Sequence, residues 1–129
     1  MKAPTFLAAA LVAAGLAAPA FAASVLEFDV WMRAIDKSSV AVQKSIARRD
    51  AAAARADAQE IERLYALMEA FFRDDLPAAD ARQISADGRE LAASIAPLLG
   101  AGDYERAGGA ARRIAQACND CHDQYKPFK

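Results

Sequence analysis

Four stretches of the chain carry apolar residues at spacings of three and four, the mark of a helix that buries one stripe. The first seam runs Val25, Phe28, Met32, Ile35, Ser39, Val42, Ile46. The second runs Ala54, Asp57, Ile61, Leu64, Met68, Phe71, widened by Tyr65 and Phe72. The third, weaker, runs Ile84, Gly88, Leu91, Ile95, Leu98, and Pro97 is expected to bend its last turn. The fourth runs Tyr104, Ala107, Ala111, Ile114, Cys118, Cys121, Tyr125. Asp57 breaks the second seam and marks a place where that helix is expected to rise out of the core.

Punctuation falls between the seams. Asp50 can cap the second helix after the "ARRD" junction. "RDDLPAAD" separates the second from the third, with Pro77 blocking continuation. "GAGD" ends the third on glycines and caps the fourth with Asp103. Alanine, leucine, glutamate and arginine dominate, all good helix formers, and there is almost no strand signal. Four amphipathic helices joined by short loops predict an all-α, antiparallel up-down-up-down four-helix bundle. No repeat of solenoid length is present.

The first 22 residues lie outside this pattern. Lys2 precedes an apolar run from Phe6 to Ala18, and Ala20-Phe21-Ala22 is a small-x-small cleavage site. This is the layout of a secretory signal peptide, predicted to be cut after Ala22. The run is broken by Gly15 and Pro19 and is short against the ~20 apolar residues of a spanning helix. Residues 23–129 are therefore expected to be one exported domain without stable membrane insertion, placed in the periplasm. Removing Lys2 leaves 15 basic against 17 acidic residues, a net charge of −2. With no basic run, nucleic acid is excluded as a partner class.

The chemistry is concentrated at the other end. Both cysteines and the one histidine fall within "CNDCH": Cys118, Cys121 and His122. The cysteines lie on the fourth seam, and His122 is four residues after Cys118, so one helical face presents two thiols and an imidazole inward. Structural zinc wants four protein ligands, and no other Cys or His exists. A thioredoxin-like dithiol belongs beside a strand at a helix N-terminus, whereas this one ends a helix. A disulfide would close a very small loop. A c-type haem uses every part: two thiols form thioethers to the vinyl groups, and the adjacent histidine is the proximal iron ligand.

With that motif near the C-terminus, "CNDCHDQYK", the "AGD" opening the last helix, and an N-terminal helix containing Met32, the chain resembles the class II c-type cytochromes, the cytochrome c-prime group. The resemblance spans essentially the whole of residues 23–129. It departs at Lys126 and Phe28, where family members often carry Arg. It implies a monohaem protein, haem c covalently held, with either a filled or an open sixth iron position.

A filled position suits electron transfer between redox partner proteins; an open one binds nitric oxide or carbon monoxide. No second histidine exists, and Met32 and Met68 are the methionines left after the leader. Both are expected at the end of the bundle where His122 lies. The resemblance implies Met32, since low-spin members place a first-helix Met there, with Met68 or an open site as alternatives. Trp31 is a candidate for covering the cofactor or for a subunit interface, so a homodimer stays open. No catalytic constellation is present, which points to an electron carrier rather than an enzyme. A haem-free helical interaction protein is the contrasting class.

Overall fold

The structure, a computed structural model, describes residues 24–124; the stretch expected to be a leader, Tyr125 and Lys126 lie outside the described residues. Four helices follow in order: α1 (Val25–Ala47), α2 (Ala51–Asp74), α3 (Ala79–Gly100) and α4 (Tyr104–Gln124). There is no strand among the described residues. None of the helices there is long and apolar enough to cross a membrane.

Each boundary has a local cause. Ser24 opens α1 with a reciprocal cap: its hydroxyl accepts from the Glu27 amide and its amide donates to Glu27. Asp50 accepts from the Ala53 amide at 3.0 Å, and Asp103 from the Arg106 amide at 3.1 Å, so both predicted caps form. Helix α2 ends at Asp74, before Pro77. Helix α3 runs through Pro97 to Gly100, and Gly102 then takes the left-handed φ of 73° that turns the chain into α4.

The helices pack as a ring: α1 on α2 and α4, α3 on α2 and α4; among the described residues no backbones approach closely across either diagonal, and side chains such as Tyr65 and Cys118 meet there instead. Pairs of contacts fix the directions. Phe28 stacks on Phe71 at one end of the α1–α2 pair, while Ser45 donates to Asp57 at the other. Arg89 reaches Glu69 near one end of the α2–α3 pair, and Gly100 lies by Arg55 at the other. These neighbours run antiparallel, as short connections require.

Buried side chains follow three of the four seams closely. Phe28, Ile35, Val42 and Ile46 of α1, Ile61, Leu64, Met68, Phe71 and Phe72 of α2, and Ile114 of α4 form one core. Phe28, Phe71 and Phe72 make a cluster with centroids 4.9–5.4 Å apart, and Trp31 adds its edge to Phe71. The third seam is rotated relative to expectation. Its buried positions are Ala81, Ser85, Gly88, Ala92, Ile95 and Leu99, with Ile84, Leu91 and Leu98 only flanking them. Small residues let α3 approach closely, and the larger ones close the seam from its sides. Asp57 stays on its seam, half-buried, because Ser45 at 3.3 Å gives its carboxylate a partner.

The packing sets a stability prediction. Phe71 is 4% exposed and central to the aromatic cluster. Phe71→Ala should cost about 3–5 kcal/mol in denaturant unfolding. Leu26→Ala, at a position 78% exposed, should change stability by no more than about 0.5 kcal/mol.

Candidate cofactor site

Antiparallel packing brings the first half of α1, the second half of α2, the start of α3 and the end of α4 to one end of the bundle. There the helices enclose a narrow cleft with about 30 Å³ of free space, partly open to solvent. Helix α4 contributes Cys118, Cys121 and His122; α1 contributes Met32, Ile35 and Asp36; α2 contributes Tyr65 and Met68; α3 contributes Ile84 and Ser85. The lining is mainly apolar, with sulfur and imidazole donors set into it.

The helical repeat explains the grouping. Cys118, Cys121 and His122 sit at i, i+3 and i+4, which is one face of α4. Upstream, Ala107, Ala110 and Ala111 are buried and let α4 lie close to its neighbours. The first half of α4 is thus packed through small residues, and beyond it the bulkier Met and Tyr side chains meet the cysteines.

Burial sets the electrostatics. Both cysteines are half-buried. Desolvation pushes the Cys118 thiol up, against the opposing effect of a hydrogen bond with Tyr65. Cys121 is also pushed up, by desolvation and then by the charge on Cys118 when ionised. This is the reverse of the lowered pKa that makes a dithiol a reactive thiolate. The Tyr65 phenol is pushed far up by burial, with the neighbouring thiols adding to it. It therefore stays protonated across the physiological range. Ser85 donates to the Ala81 carbonyl at 2.8 Å and is satisfied within its own helix. His122 is exposed, at the rim.

All four residues singled out from the sequence, Met32, Cys118, Cys121 and His122, line this one cleft. Met68 lines it too and is buried at 5% exposure, whereas Met32 is half-buried. The cleft therefore admits either thioether opposite the imidazole. Trp31 is not on the lining; it is half-buried and packed edge-on against Phe71, which accounts for it as core.

Three lining residues escaped the sequence reading: Asp36, Ser85 and, in its role, Tyr65. Asp36 lies one turn after Met32, and that spacing was legible. Tyr65 was placed on its seam without a function, because nothing in the local pattern shows that it meets α4. Its hydroxyl lies 3.5 Å from Cys118 Sγ.

The donor set fits a cofactor held by two sulfurs and an imidazole, with methionine thioethers on the same lining. They do not fit a bare ion: among the described residues no three of His, Cys, Asp or Glu are placed to hold a metal. Two other grooves exist. One is bounded by Arg106 and Arg113, the other by Arg49 and Arg112, and neither contains a sulfur or imidazole donor. Comparison with protein-family models, curated proteins and solved structures gives no significant match for this chain.

Proposed function

We propose that the chain is a monohaem c-type cytochrome of the class II kind, carrying single electrons between periplasmic redox proteins. One haem c is attached through Cys118 and Cys121, His122 is the proximal iron ligand and Met32 the sixth. The observation that carries this reading is the convergence of both thiols, the imidazole and a methionine on one largely apolar cleft. When bound, the haem supplies reversible one-electron chemistry at iron. The chain's own work is to hold and tune it. The two thiols, one helical turn apart, anchor an edge covalently. The imidazole donates a nitrogen lone pair, and a methionine thioether opposite favours a low-spin, higher-potential site. Ile35 and Ile84 exclude water from the cleft walls and lower the local dielectric.

The leader-like residues 1–22 support the placement, since thioether attachment of this kind takes place outside the cytoplasm. The exposed position of His122 supports electron exchange at the open end of the cleft.

Mass spectrometry of the mature protein should give the chain from Ala23 plus one haem that resists acid-acetone extraction. Haem released by that extraction would remove the thioether claim, and a chain with no haem would leave a helical interaction protein.

Met32→Ala should convert the ferric spectrum from low-spin toward high-spin, lower the potential, and allow rapid carbon monoxide binding to the reduced form. Met68→Ala should lower stability by about 2–5 kcal/mol and leave the spectrum alone. A spectral change in the Met68 variant instead would move the ligand to α2. A wild type already high-spin and freely binding carbon monoxide would make the site gas-binding.

A further inference from the structure

Tyr65 is in an unusual position for a core tyrosine. Its ring lies flat against the backbone of α3 at Gly88. A Cβ at Gly88 would sit 2.6–2.8 Å from Cζ, Cε2 and Cε1 of the ring, closer than carbon atoms approach one another. The glycine is neither in a turn nor at a positive φ; it lies within α3. Its helix cost of about 1 kcal/mol against alanine therefore has a packing reason. The missing side chain is the seat of the phenol ring.

The seat aims the hydroxyl. Tyr65 is 3% exposed, and its oxygen lies 3.5 Å from Cys118 Sγ, across the bundle from α2 to α4. Among the described residues Tyr65 is the side-chain hydrogen-bond partner of Cys118, and this makes the two thiols inequivalent. Cys118 is held from across the cleft; Cys121 is one turn nearer the end of the helix.

We propose that Tyr65, seated on Gly88, is a positioning residue that fixes the Cys118 sulfur at the inner wall of the cleft and so sets where the cofactor edge is anchored. The proposal rests on the haem reading above. In the attachment, the Cys118 S–H adds across a vinyl C=C bond. The sulfur bonds to one carbon, the hydrogen ends on the other, the π bond is lost, and no oxidant or reductant is consumed. Before that step either the phenol or the thiol can donate in the Tyr65–Cys118 contact. Afterwards the sulfur has no hydrogen, so the phenol donates and the sulfur accepts. The contact survives the reaction with its direction settled. Burial keeps the phenol protonated and able to donate.

The test compares Tyr65→Phe, Gly88→Ala and wild type as full chains purified from a host that matures c-type cytochromes. Tyr65→Phe keeps the ring, its seat and the volume, and removes the oxygen. Peptide mass spectrometry reads thioether occupancy at each cysteine, circular dichroism reads the helices, and iodoacetamide in native buffer reads any free thiol. The expected result is unchanged helix content and full occupancy at Cys121, with a detectable fraction of chains unattached at Cys118. In haem-free chains the Cys118 thiol should be alkylated about threefold more slowly in Tyr65→Phe than in wild type, because the phenol's hydrogen bond favours the thiolate. Gly88→Ala should give the same asymmetry by displacing the ring. Equal loss at both cysteines, or no change at either in Tyr65→Phe, would overturn the proposal. Should the wild type carry no haem, the function proposed above fails. The native alkylation then decides the Tyr65 contact by itself: selective slowing at Cys118 in Tyr65→Phe supports it, and equal rates in Tyr65→Phe and wild type reject it.

Discussion

Near-equal helix length joined by tight reversals is the constraint on which the rest depends. Helices of 21 to 24 residues, separated by three or four residues, must run back along one another. Residues at the start of α1 then share a level with those at the end of α4, and the end of α2 and the start of α3 arrive there too. Met32 and His122 are 90 positions apart in the chain and line one cleft for this reason. The aromatic cluster of Phe28, Phe71 and Phe72 holds α1 to α2 beside the cleft, so its walls are built on packed elements rather than on loops.

The cleft sits where side-chain size changes along α4. Alanines at 107, 110 and 111 are buried against the neighbouring helices, whereas Cys118 and Cys121 meet Met32, Tyr65 and Met68 on one lining. Raised thiol pKa values follow from the same enclosure: the wall that could shelter a cofactor from water also disfavours the thiolate.

Much of this was legible before any coordinates, and the limits have physical causes. The helices, the Asp50 and Asp103 caps and the shared face of Cys118, Cys121 and His122 are local properties that spacing reveals, although His122 itself is exposed at the rim. On the third seam Gly88 and Ile95 were read correctly, but Ala81, Ser85 and Ala92 were passed over for Ile84, Leu91 and Leu98, because small residues carry little hydropathy and burial there is decided by close approach. Asp57 looked like an exit from the core, since its partner Ser45 lies on another helix. Tyr65 and Gly88 form a contact between α2 and α3, and their link to Cys118 adds α4; no single-helix pattern encodes a three-helix junction. The choice between Met32 and Met68 is of the same kind, because both reach the cleft.

The end of the bundle away from the cleft is closed by a different device. Arg49, in the turn between α1 and α2, has a φ of 58°, a left-handed conformation that costs a side-chain-bearing residue about 1–2 kcal/mol. Its guanidinium lies 4.9 Å over the Tyr104 ring, and its carbonyl accepts from the Tyr104 hydroxyl at 3.5 Å. Tyr104 is the first residue of α4. The turn of the first hairpin is thus clasped by the fourth helix. The α1–α2 pair is not a self-sufficient module: a chain cut before Tyr104 would leave that turn without the clasp, and the strained conformer would lose these two supports.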